Sequence, residues 1–389
     1  MSSLLDAQDW GFPVPIAYGP GRLAEIAEHC ARNGIARPLV VTDRGSKDLP
    51  FVGELSRLLN EAGLAQAVFS DISPNPRDDE IEAGCVALRE GDHDAVIAIG
   101  GGSAMDGGKS ICMTAHNDFG IAAFNYDHPA PSMDGQAPFP KLICIPTTAG
   151  TGAETESTAM VTDTTKGMKF CAWHPGLKPC LALLDPELTL GLPPHLTAWT
   201  GVDALTHAIE AYIVPDFNPL CDGLALEALS LISEWLVPAV EEPDNLEARG
   251  GMLVGSCLAG VAFLKGLGHV HAISHMVGAE YDTQHGLTNA IVLPVVLRYN
   301  LPGMETKVRR MSEAIGRGAL RPDAFCEEID AILDRLNIPK SLSDIGVPLE
   351  CAQRVAEKAM LDAAAATNPR QSSIDEMRVL VETAITAAR

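Results

Sequence analysis

Ala95-Val-Ile-Ala-Ile-Gly-Gly-Gly-Ser-Ala-Met-Asp106 decides how this chain folds. Residues 95–99 are a continuous run of small and β-branched apolar residues, the pattern of a strand buried on both faces. Glycines 100–102 end it, and a helix is expected to start near Ala104. A buried strand that ends in glycines and opens a helix presents backbone N–H groups at the positive helix end, which suits a pyrophosphate. Side chains there would hold the phosphate off the backbone. The spacing is not GxGxxG, because Met105 takes the last glycine position, and a triple glycine alone fits a tight turn equally well. A second loop, Ile145-Pro-Thr-Thr-Ala-Gly-Thr-Gly152, also leaves a strand and adds three hydroxyls. Two such loops favour a dinucleotide. Asp43 closes the strand Leu39–Thr42, where a carboxylate can accept from a ribose 2′-OH and repel a 2′-phosphate. A turn aspartate ahead of Gly45 fits that position as well.

Outward from these loops the first half alternates strands and helices. Strands are expected at Val14–Tyr18, Pro38–Thr42, Ala65–Phe69, Ala95–Ile99, Lys141–Ile145 and Cys180–Leu184. Amphipathic helices are expected at Arg22–Arg32, Glu54–Ala62 and Asp79–Arg89. Met160–Thr162 and Met168–Ala172, either side of Asp163–Gly167, read as an added hairpin. The alternation implies a mostly parallel sheet covered by helices on both faces. From Pro194 onward strand-like alternation disappears and apolar residues recur at helical spacing, as in Leu224, Ala228, Leu231, Trp235 and again in Val308, Met311, Ile315. The punctuation at Gly191–Pro194 therefore divides an α/β half, residues 1–190, from an all-α half, residues 191–389.

With 389 residues, 47% of them hydrophobic and 20% charged, the chain suits two globular domains. A formal charge of −23 argues against nucleic-acid binding, which needs clustered Lys and Arg. The ten cysteines contain no CxxC pair, as expected of reduced thiols in the cytoplasm rather than a disulfide framework. Asp6 and Asp9, with no basic and apolar leader around them, do not read as a signal peptide. The most apolar run, Met252 to Leu264, falls short of the roughly 20 residues of a bilayer span and reads as a core helix.

The all-α half carries the metal chemistry. In Gly201-Val-Asp203-Ala-Leu-Thr-His207-Ala-Ile-Glu210, Asp203 and His207 stand at i and i+4 on one helix face and can grip one ion. Downstream, Gly268-His269-Val-His271-Ala-Ile-Ser-His275 and His285-Gly286 place four of the chain's eleven histidines within eighteen positions. A lone histidine there would read as a core or capping residue; this density beside a second Asp/His helix reads as a metal site. Three imidazoles and one carboxylate suit Fe(II) or Zn(II) rather than Mg or Ca. His269, two before His271, lies off that face and reads as a cap or lining residue. Glu210, seven after Asp203, fits either a carboxylate behind a ligand or a buried structural role.

With these residues in view the chain resembles the iron-containing (group III) alcohol dehydrogenases nearly end to end. The likeness runs through Gly19-Pro-Gly21, Gly100–Lys109, Pro146–Glu154, Asp185-Pro186, the Asp203–Glu210 helix, the Gly268–Gly278 run, His285-Gly286 and Asn368-Pro-Arg370. The resemblance implies an N-terminal Rossmann-like dinucleotide-binding domain and a helical C-terminal domain, the plan shared with dehydroquinate synthase. It implies an NAD-dependent enzyme with Fe(II), or alternatively Zn(II), on Asp203, His207, His271 and His285, and His275 as a proton-relay residue. Gly101, Gly102, Ser103, Asp106, Thr147, Thr148, Thr151, Lys169 and Asn75 match cofactor-contacting positions, and Asp43 matches the NAD-selecting aspartate. Homodimers pairing through the N-terminal strand are common in that family. Two departures stand out: Ala153 replaces a frequent serine, and Leu264-Lys265 replaces an Asn-Ala or Asn-Val pair, which bears on substrate class.

The expected activity is reversible hydride transfer between a small primary alcohol, or an ω-hydroxy acid, and NAD, with the ion polarising the substrate oxygen. A sugar-phosphate cyclase would need Lys and Arg around its substrate, yet Val202–Ala211 and Gly266–Gly278 contain neither. A non-catalytic nucleotide- or metal-storage protein would not need both nucleotide loops and a full ligand set. Lys265, six residues before His271, reads either as a reader of acidic substrates or as a lysine snorkelling to solvent from a helix end.

Overall fold

The computed structural model describes residues 14–386; the reading of Asp6 and Asp9 lies outside them. Among the described residues, contacts divide the chain into an α/β unit that runs to Thr148 and resumes over Ala153–Gly191, and a helical unit made of Ala149–Gly152 and the chain from Leu192 onward.

The α/β unit is built on β1 (Ile16–Tyr18), β2 (Pro38–Asp43), β3 (Ala67–Ile72), β4 (Ala95–Gly100), β5 (Lys141–Pro146) and β8 (Leu181–Leu184), with β6 (Thr158–Asp163) and β7 (Met168–Trp173) forming a separate antiparallel hairpin. The six strands pair in parallel in the order β1-β8-β5-β4-β2-β3. Every residue of β4 is buried, as its uninterrupted apolar run requires. Its alternate side chains enter two cores, Val96 and Ala98 on one face and Ala95, Ile97 and Ile99 on the other. Helices α1 (Ile26–Asn33), α2 (Pro50–Glu61), α3 (Asp78–Glu90) and α4 (Gly102–Thr114) make the crossovers. The chain builds outward to β3 and then returns to place β4 beside β2 and β5 beside β4. The carboxyl ends of the neighbours β2, β4 and β5 therefore carry Asp43, the Gly100–Ser103 loop and the Thr147–Thr148 loop, where open α/β sheets bind ligands.

Several boundaries differ from the sequence expectation. β3 lies later than Ala65–Phe69, at Ala67–Ile72, and α2 starts at Pro50, ahead of Glu54. The first helix opens as a 3-10 turn, Arg22–Glu25, in which Asp185 accepts from the N–H groups of Gly21 and Leu23.

The helical unit opens with α5 (Pro194–Ile213), α6 (Pro219–Glu241), α7 (Leu246–Ala262), α8 (His269–Tyr281) and α9 (His285–Asn300), and shorter helices follow to Thr386. α5 packs against α6, α7 and α9, and is buried almost throughout from Gly201 to Ile213. On α6 the buried face is Cys221, Ala225, Ala228, Leu229, Ile232, Leu236 and Ala239; of the stripe read from sequence only Ala228 lies on it. Leu224, Leu231 and Trp235 are half-buried. Val308, Met311 and Ile315 are buried as expected. The apolar stretch around Met252 is longer than its sequence run: Pro219–Glu241 and the 20 residues Leu246–Lys265 are each long and apolar enough to cross a membrane. In the fold they are neighbours packed on each other and on α5.

The contact of α9 with α5 depends on Gly286. A Cβ there would lie 2.4 Å from Trp199 O and 3.2 Å from Asp203 Cβ, and the first of these is backbone that cannot rotate away. Gly286→Ala is therefore expected to cost about 1–3 kcal/mol through overpacking. The measurement is the thermal midpoint by calorimetry, which should fall; an unchanged midpoint removes the close-approach argument.

Candidate functional site

The long buried α5 presents Asp203 and His207 one turn apart, α8 presents His271 and His275 one turn apart, and His285 is the first residue of α9. These helices bring Asp203, His207, His271 and His285 together, with one ligand atom of each lying within 4.8 Å of all the others. Asp203 Oδ1 stands 3.7 Å from His285 Nε2, 3.8 Å from His271 Nε2 and 3.9 Å from His207 Nε2. Tetrahedral coordination with bonds of about 2.0–2.2 Å places ligand atoms roughly 3.3–3.6 Å apart, so the donor set could close on one divalent ion by drawing its more distant pairs together. Burial pushes His207 down to about 4, which keeps its imidazole neutral, the form that can ligate.

The groups behind these ligands fix their rings. Glu210 Oε2 accepts from His271 Nδ1 at 2.6 Å, and the same carboxylate accepts from the N–H groups of Gly268 (3.1 Å) and Val270 (2.8 Å) at the start of α8. Burial alone would raise the Glu210 carboxyl, but the His271 contact and these two N–H groups outweigh it and hold it below its ordinary range. Both roles open to Glu210 in the sequence are thus filled by one side chain. His207 Nδ1 lies 3.3 Å from Gly150 O. His275 does not join the ligand set; its Nδ1 donates to Asp362 Oδ2 at 2.9 Å, and its ring stacks on His285 with centroids 5.4 Å apart. With Nδ1–H committed to a carboxylate or carbonyl, each of these rings keeps Nε2 unprotonated.

His269 is buried at the first position of α8, where its N–H donates to Asn368 Oδ1 at 3.0 Å and neither ring nitrogen has a partner among the described residues. Burial pushes its imidazole down to about 4. Lys265 neither snorkels to solvent nor presents a free ammonium. It is only 6% exposed, and its Nζ is held by Asp222 Oδ1 and by Tyr212 O at 3.3 Å, at the C-terminal end of α5 where a cation is favourable.

Of the residues matched to cofactor contacts, Asp43, Asn75, Gly101, Gly102, Ser103, Asp106, Thr147, Thr148 and Lys169 belong to the α/β unit, whereas Thr151 belongs to the helical unit. Thr147 N–H donates to Gly100 O at 2.9 Å, which ties the two loops together. Ser103 Oγ donates to Pro74 O at 2.6 Å, which brings the Asn75 turn to the start of α4. Asp106, a turn further on, lies 3.3 Å from Lys109 Nζ, and that buried ammonium also donates to Ala153 O (3.0 Å) and to Thr158 O. Lys109 thereby ties α4 to the backbone on both sides of Glu154–Ser157. Asp43 is a turn aspartate in fact: Oδ1 accepts from Gly45 N–H and Ser46 N–H, both at 3.0 Å, and Oδ2 from Ser46 Oγ at 2.8 Å. A carboxylate has about four acceptor directions, and Oδ2 faces Gly100, 3.1 Å from where a Cβ would stand.

The sequence reading missed Asn289 and Asp362. Asn289 follows His285 at i+4, the spacing already used for Asp203 and His207, so the signal was present. Asp362 lies 87 residues from His275 and carries no local signal.

Family models described as iron-containing alcohol dehydrogenase and as the C-terminal part of the Fe-containing alcohol dehydrogenase family match residues 13–186 and 197–385. The chain is 36% identical to the 1,3-propanediol dehydrogenase of Klebsiella pneumoniae over 382 residues, 96% of this chain and 97% of that protein. It is 33% identical to the NAD-dependent methanol dehydrogenase of Bacillus methanolicus, over 96% of this chain and 98% of that one. A solved 1,3-propanediol oxidoreductase superposes with a TM-score of 0.91 at 34% identity, covering 97% of this chain and all of the other.

Removing one imidazole tests the ligand set directly. His271→Ala is expected to abolish metal retention after dialysis while NADH still binds, as read by nicotinamide fluorescence. Stoichiometric metal in that variant would show that the assignment is wrong.

Proposed function

The chain belongs to the iron-containing alcohol dehydrogenase family, and from that premise we propose that it interconverts a small primary alcohol and its aldehyde, with one divalent ion on Asp203, His207, His271 and His285 and with NAD as hydride acceptor. The observation that carries this reading is the convergence of those four side chains from α5, α8 and α9. We assign Fe(II) as the resident ion; Zn(II) satisfies the same donors. Dinucleotide binding is assigned to residues 1–190 and metal binding to residues 191–389.

Held by Asp203, His207, His271 and His285, a divalent ion would supply Lewis acidity, and bound NAD would supply the hydride acceptor. The chain's own groups do the rest. Glu210 holds His271 with Nε2 toward Asp203, and the Gly150 carbonyl does the same for His207. Asp362 holds His275, leaving Nε2 to accept the substrate proton and pass it on. Backbone N–H groups at the start of α4, with Gly101, Gly102, Ser103, Asn75, Asp106, Thr147, Thr148, Thr151 and Lys169, are the groups that would hold the dinucleotide, and Asp43 would accept from the adenosine ribose.

The substrate is read as neutral. Lys265, the lysine nearest in sequence to the histidine run, is already paired with Asp222, so it is not available to an ω-carboxylate. Cysteines that form no disulfide among the described residues, and the net charge of −23, support a cytoplasmic enzyme without nucleic-acid or membrane partners. Strand β1 is at the sheet edge, with Ile16 and Tyr18 exposed, which supports a homodimer built by strand pairing.

The test is metal analysis of protein purified without air, followed by NADH formation at 340 nm across a panel of alcohols. Short neutral primary alcohols and diols should be oxidised at the highest kcat/KM, with activity lost on chelation and restored by Fe(II). Metal-independent turnover, or preference for ω-hydroxy acids, would overturn the reading. For cofactor choice, Asp43→Gly is expected to lower kcat/KM with NAD and raise it with NADP; an unchanged ratio counts against Asp43.

A further inference from the structure

Asn289 is a side chain outside the four-residue set that touches several of the candidate metal-ligand atoms. It is fully buried on α9, one turn after His285. Its Nδ2 donates to Asp203 Oδ1 at 2.7 Å and lies 3.1 Å from both His271 Nε2 and His285 Nε2. One amide nitrogen therefore touches three of the four ligand atoms. Its Oδ1 is buried and has no partner among the described residues.

The orientation of this amide follows from chemistry. An oxygen in place of Nδ2 would stand 2.7 Å from a carboxylate oxygen with no proton between them, so the NH2 group faces Asp203 and the orphaned oxygen faces away. Once an ion engages the Nε2 lone pairs, the two imidazoles no longer accept from the amide, whereas Asp203 Oδ1 has a lone pair to spare. The Asn289–Asp203 bond is the contact that survives loading. It holds the only anionic ligand of the set in a fixed direction, and it withdraws charge from that oxygen without adding any, because a carboxamide does not titrate.

We propose that Asn289 is a positioning residue of the metal centre, fixing Asp203 Oδ1 by N–H donation and so setting both the affinity for the ion and its ligand field. The proposal rests on the ligand assignment above, and the experiment separates the two. Apo protein is titrated with Co(II), following the visible d–d bands, for the wild type and for Asn289→Leu, Asn289→Ser and His271→Ala. Leucine keeps the volume and removes the donor; it should weaken Co(II) binding by about 10–100-fold and shift the bands. Serine, which keeps a donor, should recover part of that loss, and it carries the comparison if the leucine variant does not fold. Leucine or serine variants with wild-type affinity and bands, or a serine variant no better than leucine, overturn the role of Asn289. His271→Ala with wild-type Co(II) binding overturns the ligand assignment instead.

Discussion

The helical unit depends on one unfavourable act, the burial of Asp203. A carboxylate with 2% exposure amid helices is tolerated only if its charge is met by a cation or by several donors. The neutral groups around it meet that demand in part: one amide N–H from Asn289 and three imidazole nitrogens at 3.7–3.9 Å, none of which bears a formal charge when it ligates. A dication is the group that completes the balance. Most of what surrounds Asp203 can be understood as holding it and its partners still. Glu210, on the same helix, fastens the first turn of α8 through two backbone N–H groups and the His271 ring. Gly286 lets α9 come close enough to α5 for His285 to reach.

The same logic explains what sequence could and could not reveal. Buried strands announce themselves by composition, so β4 and its glycine loop, the parallel alternation and the helical half were all readable from local pattern. The Asp203/His207 pair was readable because helical periodicity places i and i+4 together. Asp362 was not, since only the tertiary fold brings it to His275. The misplacement of β3 is an error of boundary: Ala65 fits a strand by composition and its N–H donates to Ala36 O, yet the strand begins two residues later, at Ala67. The α6 spacing correctly marked a helix, but its fully buried face is rotated from Leu224, Leu231 and Trp235, which are half-buried, Leu231 and Trp235 lying against Gly255 and Gly251 of α7.

Lys265 shows how a charged residue can mislead. A lysine near a histidine run looks like a substrate reader, and near a helix end it looks like a snorkelling surface residue. In the fold it is a buried cap, closing the C-terminal carbonyls of α5 together with Lys307, whose Nζ donates to Tyr212 O at 2.7 Å and Val214 O at 3.0 Å. The sequence held no sign of Asp222 as its counter-ion, 43 positions away. What reads as specificity is thus an anchor for the helix that carries Asp203 and His207.

The stretch from Ile145 to Gly152 carries the last step. Read as a sequence it is one hydroxyl-rich nucleotide loop, and Thr147 and Thr148 keep that character beside Gly100. From Ala149 the chain leaves the α/β unit for four residues, and there its backbone takes part in the structural work. Gly150 O receives His207 Nδ1, and a Cβ on Gly152 would meet Gly260 Cα at 2.6 Å, so this turn is fixed against α7 as well as α5. A loop that matches cofactor positions by its side chains therefore orients a candidate metal ligand by a carbonyl. Substitutions between Ala149 and Gly152 act on His207 through that carbonyl even when they leave every ligand side chain in place.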